Sequence, residues 1–520
     1  MVEGSYPHWG LAAGALGLYT AAMLWIGAWA ARQVKDAEDY IVAGRRLNFP
    51  LLFGTILATW VCGGVFMGGM AEAYEYGFQG AVLDPLGPGI CLILAPIFYV
   101  VLMRRARYMT IADMLTDRYS KHASFVCSLA IVVYELFWVC ATVTAFGSIL
   151  ATFLNWPLWV GVLFGGIVLI VYTWQGGMWA VTVTDFVQMV MLAVGIVIML
   201  LGVVRLVGGW DNLLANAVVR SSSTPFSMLP GKNGFYGWTG MWAWSYMISA
   251  VFTGLGANFA AQDYWERALS GKTIKTIAWA SITAGLVYLF LGIMPYIIGI
   301  AAYQLNPGLG EAQRQSIGPW LLVNYFSPAT GIFIAVAMAA AVMSSADSGL
   351  LALASIAGKT MLQVIKPDAG DDEVLVWTKR WVTIGGVISL IMALWFQEIF
   401  RVQVFGHAIL AVAAFPMITL GLFGKGTNNT GALSGLYGGF GLWVILSIGL
   451  ARINGASFWD TSEIAMLPAV ITSFVIMIVV SKLTARMDPP KPMRDVDGKV
   501  LDMSGAIMSI KDLFSRKEIV

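Results

Sequence analysis

Long apolar runs recur along the whole chain and constrain its fold more than any other feature of the sequence. Short polar segments separate thirteen such runs. They cover residues 10–30, 51–70, 81–103, 122–154, 158–175, 183–207, 239–257, 276–303, 319–357, 379–398, 403–423, 430–451 and 463–482. A helix of about 20 apolar residues spans the bilayer core, and backbone groups in lipid must be bonded within the protein. The pattern therefore predicts an all-α integral membrane protein with about thirteen transmembrane helices.

The composition argues against the main soluble alternatives. Charged residues make up only 12% of the 520 residues, and hydrophobic residues make up 58%, whereas about 25% of the residues in an ordinary soluble domain are charged. So few charges cannot cover a soluble surface of this size, and we expect no nucleic-acid partner. The expected surroundings are the lipid bilayer, and the expected location is the plasma (inner) membrane, crossed many times.

The distribution of basic residues predicts how the chain is threaded. With the N-terminus outside, most of the 31 Lys and Arg residues fall in segments on the inner side, as the positive-inside rule requires. This favours an odd number of spans with the C-terminus inside. We expect a membrane transporter domain over residues 1–485 and a cytoplasmic C-terminal tail over residues 486–520.

Glycines in two of the apolar runs predict interrupted helices. The second run carries Gly63 and Gly64, and the seventh run carries Gly254 and Gly256. Each glycine weakens a helix by about 1 kcal/mol. Transporters built from two inverted five-helix repeats have discontinuous helices at such matching places. The spacing therefore predicts repeats formed by spans 2–6 and 7–11. Glycines that only allow close helix packing are the alternative.

A polar motif inside the ninth run predicts a cation site. Ser344, Ser345, Asp347 and Ser348 lie close together in an otherwise apolar sequence, and residues three or four apart share a helix face. Hard cations bind hydroxyl, carbonyl and carboxylate oxygens. Set against free carbonyls at the first break, this face predicts a Na⁺ site. A serine-rich packing face with a paired Asp347 is the alternative.

Two tryptophans and a carboxylate are candidates for binding an organic solute. Trp60 lies at the first break, and Trp138 lies midway along the fourth run. Two indole faces can hold an amine or a quaternary ammonium group by cation–π attraction, roughly 1–2 kcal/mol each. Asp84, near the start of the third run, is a further candidate contact. Plain packing of the rings and structural pairing of Asp84 are the alternatives.

The charged segment after the seventh run is expected to lie outside the lipid. Asp263, Glu266 and Arg267 would form an inner ionic gate or contact lipid headgroups. With these residues at the surface, no Arg or Lys within the membrane is placed to bind a carboxylate. This favours an amine over a monocarboxylate as the solute.

Several of the motifs together are typical of one transporter family. AGRRLN, ATWVCGG, GGMAEAY, GGMWAVTVTDFVQ, AAVMSSADSGLL and KGTNNTGALSG resemble the corresponding motifs of the sodium:solute symporter family. Within that family the chain looks most like the high-affinity choline transporter branch. The resemblance covers most of the chain. It implies a LeuT-type inverted repeat and a Na⁺-coupled secondary active symporter that works by alternating access.

The resemblance also implies roles for single residues. A main Na⁺ site would use the carbonyls of Ala58, Val61 and Ala341 and the hydroxyls of Ser344 and Ser345. A second Na⁺ site would use Asp185, Asp347 and Ser348 together with Ser344. Trp60 and Trp138 match aromatic residues of a choline pocket, and Gln262 matches a glutamine beside it. Ala261 stands where the choline branch carries a further tryptophan.

The sequence thus predicts a symporter with Na⁺ as the coupling ion, no organic cofactor and no enzymatic activity. Choline or another quaternary ammonium or amine is the first candidate solute. A small carboxylate, a proline-like amino acid, pantothenate and urea are the alternatives. A membrane enzyme would need a catalytic cluster, which the widely spaced His8, His122 and His407 do not form. A channel or sensor is a distant alternative, and the Na⁺ stoichiometry and oligomeric state stay open.

Overall fold

A computed structural model describes residues 6–515, and its secondary structure over that range is helical apart from isolated β-bridges. The last five residues of the predicted tail lie outside the described residues. The helices up to the first long loop are α1 (Trp9–Ala30), α2 (Ala37–Val42), α3 (Phe49–Trp60), α4 (Gly69–Tyr76), α5 (Leu86–Phe98), α6 (Val100–Ala106), α7 (Ile111–Arg118), α8 (Lys121–Leu154), α9 (Leu158–Leu206) and α10 (Trp210–Asn216).

The helices after this loop begin with a second interrupted pair. They are α11 (Gly240–Ala260), α12 (Gln262–Ser270), α13 (Ile274–Gly292), α14 (Met294–Leu305), α15 (Glu311–Arg314), α16 (Ile317–Tyr325), α17 (Pro328–Ile365), α18 (Asp371–Phe396), α19 (Phe400–Ala413), α20 (Phe415–Phe423), α21 (Asn429–Asn454), α22 (Phe458–Thr484) and α23 (Ile510–Phe514). The all-helical fold predicted from the sequence is confirmed for the described residues.

The predicted spans all overlap helices, although the boundaries divide differently. Over residues 6–515, ten helical segments are long and apolar enough to cross a membrane. The fifth and sixth predicted spans both fall within α9, where the backbone leaves the helical conformation at Gly177 (φ 52, ψ −151), so two helical segments meet there. The second predicted span is divided between α3 and α4. The count of thirteen crossings and the orientation of the termini therefore stay predictions.

The helix α17 forms the centre of the fold and carries the serine motif. It has 38 residues, begins with Pro328 in its first turn, and is capped by the Ser327 side chain, which accepts a hydrogen bond from the backbone of Thr330. Proline and serine suit these positions because the first turn leaves backbone donors unpaired. The helix packs against α8, α9, α18 and α3, so its middle turns are surrounded by protein.

The periphery of the bundle is apolar and exposed. Leu18 and Trp25 of α1, Trp395 of α18 and Ile453 of α21 have more than half of their surface uncovered. Extended apolar surfaces of this kind would be unfavourable in water. They fit the hydrocarbon region of a bilayer, which leaves the central helices free to hold polar groups.

The segment that follows α22 packs across the ends of several helices. The side chain of Arg105 donates to the carbonyl oxygen of Asp502 at 3.0 Å, and the backbone N–H of Met508 donates to the carbonyl oxygen of Ile97 at 2.9 Å. The described part of the predicted tail is therefore docked on the transporter. Its cytoplasmic location stays a prediction.

Candidate cation and solute site

The first helix break lies in the run where the sequence predicts it, at Val61 and Cys62, immediately before the paired glycines. α3 ends at Trp60, Val61 leaves the helical conformation with ψ 68, and a π-helical turn over Gly64–Gly68 leads into α4. A Cβ atom on Gly64 would lie only 1.4 Å from Oε1 of Gln403. The absence of a side chain at Gly64 therefore admits the side chain of Gln403 from α19.

The serine motif of α17 lies directly against this break. Ser344 Oγ is 2.9 Å from the carbonyl oxygens of both Ala58 and Ala341. Ser345 Oγ is 2.8 Å from the carbonyl oxygen of Thr59, 3.0 Å from that of Ala341 and 3.3 Å from that of Ala58. Both serines are fully buried. Two hydroxyl protons thus face three carbonyl oxygens, and such a surplus of acceptors suits a small hard cation.

Val61 and Trp138 border this group of oxygens. Val61 is buried at the end of α3. The carbonyl oxygens that the two serine hydroxyls contact are those of Ala58, Thr59 and Ala341 rather than that of Val61. The indole Nε1 of Trp138 donates to the carbonyl oxygen of Ser345 at 3.3 Å. Gly349 makes room for this ring, since a Cβ there would lie 2.6 Å from its Cδ1 atom. Trp138 therefore supports the serine turn of α17.

The three residues expected at a second cation site lie together beside α3. The Thr55 hydroxyl donates to Asp185 Oδ2 at 2.5 Å, and the hydroxyls of Thr59 and Ser348 are 2.9 Å apart. Asp185 and Asp347 are fully buried and act on each other electrostatically. One oxygen of each carboxylate has no hydrogen-bonding partner within residues 6–515.

Arg267 belongs to the same buried region, although the sequence analysis places it at the surface. Its guanidinium donates to Ser348 Oγ and, at 2.9 Å, to the carbonyl oxygen of Asp263. Asp263, Glu266 and Arg267 are at most 1% exposed. Their burial contradicts the expected contact with lipid headgroups, whereas an inner ionic gate stays a prediction. A basic side chain is thus buried in the protein beside the proposed cation ligands, which the sequence analysis did not anticipate. The reason is that α12 turns into the protein after the second break.

The second break lies at Ala261 rather than at the predicted glycines. α11 continues through Gly254 and Gly256, and Ala261 (φ −75, ψ 124) then interrupts the helix. A Cβ on Gly254 would lie 2.4 Å from the carbonyl oxygen of Leu83. The prediction of an unwound stretch at Gly254 and Gly256 is therefore wrong. Gly254 serves close packing, which was the alternative considered from the sequence.

Trp60 and Asp84 are joined through Tyr288 into one buried group. The Trp60 ring meets the rings of Tyr264 and Tyr288 edge to face, with centroids 6.1 Å apart in each pair. The Tyr288 hydroxyl donates to Asp84 Oδ1, and Gln403 Nε2 donates to Asp84 Oδ2 at 3.3 Å. Aromatic faces next to a carboxylate are suited to an organic cation.

Gln262 and Trp138 make their contacts outside this Trp60 group. Gln262 Oε1 accepts a hydrogen bond from the backbone of Ile111 at 3.0 Å, and its Nε2 donates to Glu266 at 3.2 Å. Gln262 thereby ties the second break to the start of α7. The Trp138 ring lies against His407, with centroids 5.6 Å apart. The two predicted tryptophans therefore occupy separate surroundings.

A cavity of about 510 Å³ opens at the other end of α4. Its lining combines aromatic rings with charged side chains, among them Glu72, Arg401 and Glu463. The Tyr236 hydroxyl donates to Glu72 Oε2 at 2.8 Å, so this carboxylate has a partner in the loop before α11. The cavity is a candidate entrance toward the central helices.

Comparison with known proteins supports a transporter fold. The sequence profile of the sodium:solute symporter family matches residues 40–439. A solved Na⁺-coupled sialic acid symporter superimposes with a TM-score of 0.74 at 23% identity, over 93% of this chain and 99% of that one. Mhp1, a nucleobase-cation-symport-1 family transporter, gives a TM-score of 0.58 at 13% identity, over 88% and 97% of the chains. These neighbours support the LeuT-type architecture.

Curated relatives include transporters of more than one solute. High-affinity choline transporter 1 of Caenorhabditis elegans is 27% identical and aligns with 91% of this chain and 86% of its own length. The human high affinity choline transporter 1 is also 27% identical, over 80% of this chain and 73% of the relative. A sodium/pantothenate symporter of Haemophilus influenzae is 24% identical, over 86% and 90%.

Proposed function

We propose that this chain, which belongs to the sodium:solute symporter family, uses the Na⁺ gradient across the plasma membrane to take up a small organic solute. The observation that carries the proposal is the contact between the hydroxyls of Ser344 and Ser345 and the carbonyls at the first helix break. Oxygen atoms of this kind, buried and in excess over their donors, are the ligands that Na⁺ requires.

The main Na⁺ site in this proposal uses the carbonyls of Ala58, Val61 and Ala341 and the hydroxyls of Ser344 and Ser345. Each of the two serine hydroxyls lies within 3.3 Å of the carbonyl oxygens of both Ala58 and Ala341. A bound Na⁺ would replace the hydrogen bonds that now join α17 to the end of α3. It would thereby fix the distance between these two elements.

A second cation at Asp185, Asp347 and Ser348 is supported by the unpartnered oxygens of the two carboxylates. A buried charge without a partner is costly in a membrane protein and marks a functional position. Arg267 compensates part of this negative charge. A cation beside the two aspartates would compensate another part.

Choline or another organic amine is the solute that we propose first. The choline transporters among the relatives and the joined group of Trp60, Tyr288 and Asp84 support this choice. Arg267 and the pantothenate relative favour a small carboxylate as the second candidate. A proline-like amino acid and urea remain further candidates from the sequence.

Coupling follows from linkage between the two ligands. Each ligand must improve the binding of the other by the same factor. Trp60 is the last residue of α3 and lies one to two residues from the carbonyls that face the serines. Na⁺ that orders this break also fixes the Trp60 ring, so solute affinity rises with Na⁺ occupancy.

Uptake by proteoliposomes tests the proposal. We expect radiolabelled solute, beginning with choline, to accumulate when Na⁺ is outside and K⁺ inside, and accumulation to stop when K⁺ replaces Na⁺ outside. Equal Na⁺ on both sides is the control that keeps binding but removes the driving force. Uptake of a transported solute at the same rate and to the same level without Na⁺ would contradict the proposal.

A further inference from the structure

Another cavity, of about 290 Å³, lies between the segment after α22 and the end of α20. One wall comes from that segment, through residues 490–493 and 500–501. The opposite wall comes from the connection between α20 and α21 and from Arg118 of α7. The volume is close to the lower limit of cavities that hold small organic ligands, about 300 Å³. The cavity shares no residue with the groups proposed to bind Na⁺ and the solute.

The charged side chains that line this cavity are all basic. They are Arg118, Lys425 and Lys491, and no acidic residue occurs in the lining within the described part of the chain. Among the ion pairs of residues 6–515, none includes any of the three. The cavity therefore carries positive charge without a carboxylate to balance it, which attracts an anion.

Arg118 supplies a buried charge at the back of the cavity. It is the last residue of α7 and is only 3% exposed. Its guanidinium donates to the carbonyl oxygens of Gly421 at 3.0 Å and Gly424 at 2.7 Å. It also donates to the carbonyl oxygen of Lys491 and, at 3.1 Å, to the hydroxyl of Thr427. All four partners are neutral, and arginine has five N–H donors, so the charge and one donor stay available for an anion.

The two lysines are held in different ways. Lys491 Nζ donates to the carbonyl oxygen of Tyr119 at 2.7 Å, another neutral partner, which keeps its charge beside that of Arg118. Lys425 lies between α20 and α21 and is exposed. Its ammonium group pairs with no carboxylate of residues 6–515, so it can turn toward a ligand in the cavity.

The acidic side chains nearby in the sequence are engaged elsewhere. Asp117 Oδ2 accepts from the hydroxyl of Tyr108 at 2.9 Å and from the backbone N–H of Arg494 at 3.0 Å. Asp488 Oδ2 accepts from the backbone N–H of Thr430 at 2.7 Å and from its hydroxyl at 2.9 Å. Neither aspartate lines the cavity.

The remaining lining contains apolar side chains whose positions are set by the fold. Leu422 is 2% exposed, Met493 is 7% exposed and Leu501 is 9% exposed. The backbone N–H of Leu501 donates to the carbonyl oxygen of Met493 at 2.9 Å, which joins the two parts of the segment that form the wall. The apolar wall therefore exists before a ligand binds, and an apolar group placed against it would be removed from water.

We propose that this cavity binds a small anion that carries an apolar body, such as a phosphate or carboxylate group on an aromatic ring or a short acyl chain. The anionic group lies between Arg118 and the two lysines, where it forms charge-assisted hydrogen bonds. The apolar body lies against Leu422, Met493 and Leu501. Soluble phosphate esters and the headgroups of anionic lipids share this chemistry.

Such a ligand would contact the segment after α22 and the helical bundle at the same time. Because the complete site exists only when the segment is docked, the ligand shifts the equilibrium toward the docked arrangement. Arg494 and Lys499 of this segment are exposed. We therefore expect the bound ligand to slow trypsin cleavage after these two residues.

Isothermal titration calorimetry of the purified full-length protein tests the site. Phenyl phosphate is the soluble probe and dihexanoyl phosphatidic acid is the lipid probe, and the tighter of the two identifies the source of the ligand. Arg118→Gln should weaken binding by about tenfold or more, and Lys425→Gln by about twofold to fivefold, because its charge is exposed. Lys272→Gln, which alters an exposed lysine outside the cavity, should bind as the wild type does.

The proposal fails if neither probe binds, or if Arg118→Gln and Lys425→Gln bind as tightly as the wild type. Inorganic phosphate should bind more weakly than phenyl phosphate, and equal affinity would overturn the apolar part of the ligand. Trypsin cleavage that a bound probe leaves unchanged would overturn its position beneath the segment. If Arg118→Gln does not fold, Lys491→Gln combined with Lys425→Gln provides the comparison. Each result is independent of Na⁺-driven uptake.

Discussion

The two interrupted helices of the molecule break in chemically different ways. Between α3 and α4 the backbone turns at Val61, and neutral carbonyls meet the hydroxyls of α17. Between α11 and α12 it turns at Ala261, and buried charged side chains follow, among them Arg267. One break thus presents neutral oxygens that suit a cation, and the other presents fixed charges.

Both breaks meet on the same helix, α17. Ser344 and Ser345 contact the first break, and Ser348, one turn further along, contacts Arg267 of the second. A movement of either break relative to α17 would therefore change the contacts that α17 makes with the other break. A cation bound at the first break, as proposed, would therefore lie about one helical turn from the contact between Ser348 and Arg267.

The largest effect is expected from removing the fixed positive charge at the second break. Arg267→Ala removes a buried positive charge together with its hydrogen bonds to the Asp263 carbonyl oxygen and to Ser348, and hydrogen bonds to charged groups contribute about 1.5–3 kcal/mol each. We expect a marked fall in the melting temperature and in the yield of monodisperse protein, whereas Arg267→Lys should retain part of the stability. An alanine variant as stable as the wild type would show that the two breaks do not differ in this way.

A substitution of Asp84 tests whether the solute carries a positive charge. The Asp84 carboxylate accepts a hydrogen bond from Tyr288, whose ring packs against Trp60 at the first break. For an organic cation, Asp84→Asn removes a charged contact and should weaken solute binding by about tenfold to a hundredfold, since hydrogen bonds to charged groups contribute about 1.5–3 kcal/mol. Stabilisation by Na⁺ should remain. Competition against radiolabelled choline measures the change, and unaltered choline binding would exclude Asp84 from the solute site.

The role of the glycines before the second break can be tested by adding a methyl group. Gly254→Ala places Cβ 2.4 Å from a backbone oxygen, and overpacking of this kind costs about 1–3 kcal/mol. Gly441→Ala in α21 is the matched control, because nothing lies within 4 Å of its Cβ. Thermal unfolding should separate the two. Equal stability of both variants would contradict the packing role.

The smallest effect is expected at Trp138, which supports the first break indirectly. Trp138→Phe keeps an aromatic ring but removes the indole donor to the carbonyl of Ser345, a change that costs about 0.5–1.5 kcal/mol. We expect Na⁺ affinity to fall by about threefold to tenfold, since 1.4 kcal/mol is a factor of ten. A Na⁺ titration of the melting temperature measures this. An unchanged Na⁺ affinity would assign Trp138 to packing alone.

The first break could be predicted because its signals are local. Paired glycines interrupt an apolar run, and the serine motif stands out against an apolar helix at helical spacing. A contact between the serine motif and this break could be expected, because polar groups in a membrane-spanning segment are satisfied by other polar groups of the protein. The contribution of Thr59 was missed, because a carbonyl oxygen leaves no mark in the sequence.

An interruption of the seventh run was predicted, but its position at Ala261 and the burial of the residues after it were not. A dense group of charges after an apolar run is typical of a membrane boundary, yet α12 carries Asp263, Glu266 and Arg267 into the core. The roles of Tyr288 and Gln403 were also missed. Their contacts with Asp84 span 204 and 319 residues of sequence, a separation at which periodicity carries no information.

The most direct test of the account is stabilisation by Na⁺ in a protein without the two serine hydroxyls. The wild type should gain about 2.7 kcal/mol when Na⁺ is present at a hundred times its dissociation constant, and KCl should not reproduce the gain. We predict that Ser344→Ala/Ser345→Ala loses the gain. Ser281→Ala, which removes a buried hydroxyl 2.7 Å from the carbonyl oxygen of Leu92, should keep it. A folded double variant that Na⁺ stabilises as strongly as the wild type would contradict a Na⁺ site between α17 and the first break.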